Sequence, residues 1–231
     1  MPDLAFEHLS WMDVERYLQQ DDRVVLVIGA CEQHGYLSLL ADVLIPMAIA
    51  RQACQREGVL LAPPLPFGVS PYFTAYPGTL SLRPETLAIV FREIVEGLLA
   101  QGFRRILVSN GHGGNTGILS PVLIEIGTAH PDAKLVLWHS WRDPAPVAIA
   151  LESAYPQYHA NWQESFVFTR VGPLPGGSKA PPQIPAGASA QATRQILGDG
   201  SFGGPYQAPA EVSDRFFAAA GDAMAAELRA L

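Results

Sequence analysis

Acidic and imidazole side chains follow the apolar runs of this sequence, at positions where they could act together. Glu32 and His34 come just after the apolar run 24–28, and His112 comes just after a second apolar run at 106–109. A mixture of carboxylates and imidazoles suits divalent ions such as Zn, Mn or Fe, and one carboxylate can bridge two ions. The residues that could form such a site are Glu32, His34, Asp42, His112, His159 and Glu164.

Each of these residues also has an ordinary structural interpretation. Asp42 stands where the N-cap of the following helix is expected, and a single histidine after a strand is often only hydrogen-bonded and half-buried. Several such residues at successive strand ends are hard to explain as helix caps, because each cap needs only one polar side chain. The set as a whole therefore indicates a metal or catalytic site.

The glycine-rich run 111–114 has a competing interpretation, which is phosphate binding at a helix N-terminus. The run lacks the Lys-Ser/Thr pair of a P-loop, and its spacing is not that of a dinucleotide-binding loop. Its glycines are better explained as tight turns that aim His112 and leave room for a substrate beside Gly113 and Gly114. Nucleotide binding is the weaker hypothesis.

Covalent catalysis has less support. Ser70 does not lie in the Gly-x-Ser-x-Gly motif of a nucleophile elbow, and the charge of Glu32 beside Cys31 disfavours a thiolate unless a metal is near. Aromatic residues could instead line a pocket for a small planar substrate, although aromatic residues in loops more often only pack. The candidates are Tyr72, Phe73, Tyr76, Trp141 and Trp162.

The elements that must position these residues alternate between strands and helices. The predicted strands are 24–28, 59–62, 106–109 and 134–138, and the predicted helices are about 42–56, 84–101, 113–129, 161–170 and 213–231. This order is typical of an α/β fold with a mostly parallel sheet, which binds ligands beyond the carboxyl ends of its strands. The Gly- and Pro-rich segment at about 172–209 is too long for an ordinary connection, so we expect a loop that serves function or oligomer contact.

Composition limits the class of protein. The chain has 231 residues, of which 48% are hydrophobic and 16% charged, and this fits one globular domain. A formal net charge of −7 argues against a nucleic-acid partner and against an anionic membrane surface. No apolar run could cross a membrane, no signal peptide is visible, and two cysteines cannot make a disulfide framework, so we expect a cytoplasmic protein.

Several motifs together resemble the creatininase (creatinine amidohydrolase) family, from about residue 8 to the C-terminus. They are Glu32-Gln33-His34-Gly35 with Asp42, Tyr76-Pro77-Gly78-Thr79-Leu80, Asn110-Gly111-His112-Gly113-Gly114-Asn115, His159-Ala160 with Glu164-Ser165, and Phe202-Gly203-Gly204-Pro205. The resemblance implies a single three-layer α/β/α domain and homo-oligomers that are often hexamers. It also implies two divalent metal ions per chain, zinc before manganese or iron, and hydrolysis of C–N amide bonds in small or cyclic substrates.

The resemblance further implies roles for individual residues. Asp42 corresponds to the ligand that bridges the two ions, and Glu164 supplies the carboxylate that creatininase proper carries at the position of Gly114. His159 corresponds to a proton-transfer histidine, so His159 and Glu164 form the catalytic set. The other implied metal ligands are Glu32, His34 and His112, and the expected substrate contacts are Gly113, Gly114, Tyr72, Trp141 and Trp162.

Two departures from the family pattern leave the substrate open. The family usually has a second histidine between His34 and Asp42, and it often has a histidine where Phe73 stands here. Together with Gly114, these changes argue against creatinine itself as the substrate. The alternatives are a peptidase or deformylase branch of the same family and a non-catalytic relative that binds a small ligand.

Overall fold

The computed structural model describes residues 4–231, and none of the helices in this range is long and apolar enough to span a membrane. The helices are α1 (Trp11–Leu18), α2 (Ala41–Glu57), α3 (Pro84–Gln101), α4 (Thr116–Ala129), α5 (Pro144–Glu152), α6 (Ala190–Leu197) and α7 (Ala210–Ala230). The strands are β1 (Arg23–Ile28), β2 (Leu60–Leu61), β3 (Arg105–Asn110), β4 (Lys134–Trp138), β5 (Ser178–Lys179) and β6 (Gly204–Pro205).

The first four strands form a parallel sheet in the order β2-β1-β3-β4. Val24 of β1 pairs with Leu60 on one side and with Ile106 on the other, so β1 is central. A central parallel strand is covered on both faces, which explains why β1 is apolar throughout its buried length. The carboxyl ends of all four strands meet at one edge of the sheet, and the predicted α/β fold is confirmed.

Helices cover both faces of the sheet and give the expected three layers. Alternate residues of β1 point to opposite faces. On one face, Val25 packs in a cluster with Ile49 of α2 and Met224 of α7. On the other face, Leu26 packs in a cluster with Phe91 of α3. Each face therefore has its own apolar core, with β1 contributing to both.

The predicted helix at 161–170 is wrong. The segment forms a single 3-10 turn at Trp162–Glu164, followed by further turns. The side chain of Asn161 accepts a hydrogen bond from the Gln163 backbone N–H, and the Thr169 hydroxyl donates to two backbone carbonyls. Side chains of this kind offer the backbone hydrogen-bond partners other than those of a helix. In this segment the bonds to side chains replace the helical ones.

The Gly- and Pro-rich segment 172–209 is more ordered than a loop, since it contains α6 and the antiparallel pair β5–β6. The Lys179 ammonium donates to the Asp199 carboxylate at 2.5 Å and to the Ser201 carbonyl at 2.8 Å. The Tyr206 hydroxyl donates to the other oxygen of Asp199 at 2.6 Å. These contacts hold residues 199–204, which lie against the carboxyl edge of the sheet, where the Gly200 carbonyl accepts a hydrogen bond from the Gln33 side chain.

Glycines allow α2 to approach the ends of β1 and β3 closely. A Cβ atom at Gly111 would lie 1.8 Å from the Asp42 carbonyl oxygen, and one at Gly29 would lie 2.4 Å from the same oxygen. Both distances are far below van der Waals contact, so only glycine fits at either position. The two glycines therefore determine how close Asp42 comes to the strand ends.

We expect Gly111→Ala to lower the free energy of unfolding by about 1–3 kcal/mol, because the added methyl group overpacks this contact and displaces α2. Urea unfolding measures the change. The matched control is Gly117→Ala in α4, where a Cβ meets no atom within 4 Å and should leave the stability unchanged or slightly higher. Equal stability of the two variants would contradict this account of the glycine.

Candidate metal centre

Six titratable side chains converge at the carboxyl edge of the sheet. Glu32 and His34 follow β1, Asp42 lies in the first turn of α2, His112 follows β3, and His159 and Glu164 lie between α5 and β5. Glu32 and His34 are each 1% exposed, His112 4% and Asp42 5%. Ionisable groups so far from water are stable only when neighbouring charges or a cation compensate them.

Asp42 is the centre of this cluster and not a helix cap, because Leu40 occupies the N-cap position of α2. Its Oδ1 atom lies 3.0 Å from Nε2 of His34, and its Oδ2 atom lies 2.9 Å from Nδ1 of His112. The carboxylate therefore lies between two imidazoles that come from different strand ends. The cap interpretation of Asp42 is wrong, because its carboxylate lies against His34 and His112, which follow β1 and β3.

The donor atoms form three overlapping groups in which all atoms lie within 4.8 Å of one another. The first comprises Glu32, Asp42 and His112, and the second comprises His34, Asp42 and Glu164. Asp42 is common to both, which is the placement of a carboxylate that could bridge two ions. The third group joins Glu32 and His34 to His159.

Hydrogen bonds orient both histidines of the first two groups. His34 Nδ1 lies 3.1 Å from the Glu32 carbonyl oxygen, and His112 Nε2 lies 3.0 Å from the Val69 carbonyl oxygen. A carbonyl only accepts, so each of these ring nitrogens carries the proton. The other nitrogen of each ring faces Asp42. It donates to this carboxylate when the ring is protonated, and it offers a lone pair when the ring is neutral, as a metal-binding histidine is. Metal-binding histidines are held in this way by partners outside the coordination sphere.

A buried carboxylate oxygen supports a cation between these side chains. Glu32 Oε2 accepts no hydrogen bond from any residue in the described range 4–231. An unpaired buried oxygen of a charged group costs at least about 1–3 kcal/mol. A divalent cation would satisfy this oxygen and offset the negative charge of three carboxylates, so the residues present fit such an ion.

The pKa values within the cluster show how strongly the side chains interact. Burial, together with the charge of Asp42, raises the pKa of Glu32 to about 7, and burial raises that of Glu164 to about 7. Burial alone would lower the pKa values of His34 and His112, yet the adjacent Asp42 raises them to about 10 and about 9. Burial acts to raise the pKa of Asp42 as well, but the two histidines hold it well below its usual value.

We expect chelator-treated protein to lose stability as the pH rises from 7 to 9. His34 and His112 keep their protons in the folded state up to about pH 10 and about pH 9, whereas an unfolded histidine loses its proton near pH 6.5. The folded state thus binds more protons, and the free energy of unfolding falls by up to about 1.4 kcal/mol per pH unit for each histidine.

Thermal unfolding at several pH values between 7 and 9 measures this effect. Protein saturated with zinc serves as the control, because histidines that bind a metal are neutral and hold no extra proton. Its melting temperature should change much less over the same range. A melting temperature of the chelator-treated protein that stays constant or rises would contradict the predicted protonation of the two histidines.

His159 lies beside the ligand groups, with its Nδ1 atom 3.6 Å from Glu32 Oε1. Its ring stacks on Phe73, with centroids 4.7 Å apart, and meets Phe202 edge-on at 5.2 Å. Burial, reinforced by the neighbouring His34, lowers the pKa of His159 well below its usual value. The imidazole is therefore neutral near pH 7 and can accept a proton.

A cavity of about 340 Å³ opens over the cluster, which is enough for a small ligand. Five residues that the sequence analysis assigns to a substrate pocket line this cavity, namely Tyr72, Phe73, Trp141, Gly113 and Gly114. Trp162 is different, because its ring is fully buried in the core and its indole N–H donates to the Pro156 carbonyl. The expectation that Trp162 binds substrate is not supported by this position.

The cavity wall also contains residues that sequence reasoning missed or left unassigned. They are Ser140, Gln157, Tyr158, Gln163, Phe202 and Phe216. Phe202 comes from the Gly- and Pro-rich segment. The Phe-Gly-Gly-Pro motif, which resembles the family pattern, is the sequence feature that could have identified it as a cavity residue. Neither lysine nor arginine contributes to the described wall. The charge at the cavity therefore comes from the buried carboxylates and histidines alone.

Comparison with protein families and curated proteins agrees with this geometry. The creatininase family model, described as creatinine amidohydrolase, matches residues 7–228. The creatinine amidohydrolase of Pseudomonas putida is 30% identical over 169 residues, which cover 67% of this chain and 64% of that protein. The mycofactocin precursor peptide peptidase of Mycobacterium ulcerans is 29% identical over 218 residues, covering 84% and 80%.

Solved structures show the same fold. A creatininase structure described as Mn has a TM-score of 0.78 at 24% identity, covering 99% of this chain and 98% of that one. A creatininase variant described as Zn-Zn type has a TM-score of 0.79 at 24% identity, covering 100% and 98%. The three-layer arrangement is thus shared over the full described chain.

Proposed function

Since the chain belongs to the creatininase family, we propose that it is a metal-dependent amidohydrolase that cleaves a C–N amide bond in a small or cyclic substrate. The observation that carries the proposal is the pair of three-residue donor groups that share Asp42. The buried, unpaired Oε2 atom of Glu32 supports it independently. Related structures described with Mn and with Zn agree with a divalent metal in this fold.

Two divalent ions would be held by the two donor groups. Glu32, Asp42 and His112 would hold one ion, and His34, Asp42 and Glu164 would hold the other. Imidazole and carboxylate ligands suit zinc first, with manganese or iron as alternatives. Ions in such a site supply a water nucleophile near neutral pH and polarise the amide carbonyl.

The remaining steps belong to side chains and backbone of this chain. His159 is neutral near pH 7, and its Nδ1 atom faces the cluster, so it can take a proton there and deliver it to the leaving nitrogen. The backbone N–H groups of Gly113 and Gly114 at the cavity wall could donate to the developing oxyanion. Tyr72 and Trp141 offer flat surfaces for a planar substrate.

The described wall of the cavity has no lysine or arginine that could bind a carboxylate or phosphate group of a substrate. The same chemistry would serve a peptide bond, and a peptidase is the second candidate function. It is favoured by the mycofactocin peptidase match, which covers more of this chain than the creatinine amidohydrolase match does.

The proposal is tested by stripping the protein with a chelator, reloading it with zinc, manganese or iron, and assaying a panel of amides. The panel contains cyclic amides, creatinine among them, N-substituted formamides and short peptides, with release of amine followed by mass spectrometry. Metal-dependent turnover of a small amide supports the proposal, and turnover confined to peptides supports the second candidate. Ligand binding without turnover under any metal would leave a non-catalytic binding protein.

A homo-oligomer is a further part of the proposal. Three exposed apolar side chains lie close together in sequence just beyond the metal site. Val167 is 85% exposed, Phe168 44% and Val171 72%. Apolar side chains grouped in this way are typical of interaction surfaces. Mass photometry of the purified protein tests this point, and a monomer would contradict it.

A further inference from the structure

One side of the His112 ring faces the loop between β2 and α3. Its Nε2 atom donates to the Val69 carbonyl at 3.0 Å, and the Ser70 hydroxyl lies 3.3 Å from the same nitrogen. The opposite ring nitrogen lies 2.9 Å from the Asp42 carboxylate. Since both partners of Nε2 belong to residues 69–70, the place of these two residues determines how the ring is turned toward Asp42.

Two side chains hold this part of the loop in place. The Asn115 Oδ1 atom accepts a hydrogen bond from the Val69 backbone N–H at 3.1 Å, and the Ser81 hydroxyl accepts one from the Ser70 backbone N–H at 2.8 Å. The Asn115 Nδ2 atom donates to the carbonyl of Gly29, directly after β1, at 3.0 Å. An exchange of oxygen and nitrogen in Asn115 would break both of its bonds, so the orientation of the amide is defined.

Asn115 occupies the N-cap position of α4, where an asparagine side chain usually bonds to the first turn of the helix. Here the side chain is fully buried and turns inward to Val69 and Gly29 instead. Its Nδ2 atom also lies 3.4 Å from Oδ1 of Asn110, whose amide bonds to the backbone N–H and carbonyl of His112. The Asn115 side chain thus contacts groups that hold both the ring and the backbone of His112.

Gly114 leaves room for the contact between His112 and Val69. A Cβ atom at this position would lie 2.4 Å from His112 Nε2 and 2.4 Å from the Val69 carbonyl oxygen. Both distances are far below van der Waals contact, so a side chain here would separate the donor from the acceptor. The adjacent Gly113 differs, because a Cβ there meets no atom within 4 Å.

We propose that Asn115 and Gly114 are positioning residues that hold the His112 ring toward the metal site. Asn115 fixes the residue whose carbonyl accepts from the ring, and Gly114 keeps that bond free of a side chain. Their role rests on the proposed function, in which His112 binds a divalent ion together with Glu32 and Asp42. A ring that is not held in this orientation binds the ion more weakly, because binding must then also order the ring.

The test measures zinc affinity by competition with a chelator in Gly114→Ala, Asn115→Ala and the matched control Gly113→Ala. We expect two tightly bound ions in the wild type and in the control. In the other two variants, one ion should bind roughly 10-fold to 100-fold more weakly. The other ion should keep its affinity, because neither change touches its ligands His34 and Glu164.

A loss confined to one of the two ions separates positioning from general damage, which would weaken both. The visible absorption of the cobalt-loaded protein reports the ligand geometry independently, and it should change in Gly114→Ala but not in Gly113→Ala. Circular dichroism establishes which variants are folded. If Asn115→Ala does not fold, Gly114→Ala, which adds a single methyl group, decides whether this contact controls the affinity.

Unchanged zinc affinity in Gly114→Ala would overturn the proposal, and so would equal weakening of both ions. If the wild type binds zinc but hydrolyses no amide, the proposed function fails, and the zinc affinities still decide the role of Asn115 and Gly114. A wild type that binds no zinc would overturn the proposed function and this proposal together.

Discussion

Asp42→Asn should lose both metal ions and lower amide hydrolysis by about 10³-fold or more. Asp42 is the residue shared by the two donor groups, and its two oxygens approach His34 and His112. The amide keeps the shape of the side chain but removes the charge and one acceptor, so neither ion keeps its full ligand set. Loss of the ions removes several kcal/mol of transition-state stabilisation, and each 1.36 kcal/mol is tenfold in rate.

Metal content and turnover are measured on the same preparation. Asp214→Asn is the matched control, because this acid is exposed on α7 and should show wild-type metal content and rate. Circular dichroism establishes that both variants are folded. A folded Asp42→Asn variant that still holds two ions would show that the bridge is assigned to the wrong residue.

His159→Gln should lower kcat by roughly 10²-fold to 10⁴-fold, the usual contribution of a general acid or base. The imidazole lies beside the donor groups and is neutral near pH 7, so it is placed for proton transfer. Glutamine can fill the space between Phe73 and Phe202 but cannot exchange a proton in this way. The metal content should remain that of the wild type.

The metal content decides between two roles for His159. Its Nδ1 atom also belongs to the third donor group, with Glu32 and His34. If His159 is a ligand, the variant loses metal and activity together. The control is His130→Gln at the end of α4, which should change neither quantity. Loss of an ion in His159→Gln would contradict the proton-transfer role.

The strand-borne part of the site could be predicted from the sequence. Glu32, His34 and His112 follow apolar runs that become β1 and β3, and the ends of parallel strands meet at one edge. The position of Asp42 was predicted, but its local pattern favoured a helix cap. Contacts between elements overrode that local preference, and such contacts are not visible in one stretch of sequence.

Residues outside regular elements were harder to place. Glu164 reaches the cluster from an irregular turn, whereas the sequence predicts a helix at 161–170. Periodicity cannot detect a turn whose backbone is satisfied by side chains such as Asn161. Trp162 and Gln33 could not be placed from the sequence either. The type of a loop residue does not show whether its side chain faces the core or the cavity, or which distant residue it contacts.

The central claim is that this fold holds two divalent ions in the groups around Asp42. Metal content per chain, measured by inductively coupled plasma mass spectrometry after reloading with zinc and removal of free metal, tests it most directly. We expect close to two ions per chain, since there are two donor groups, which share one carboxylate. No bound metal after reloading with zinc, manganese or iron would contradict it and leave a small-ligand-binding protein as the better description.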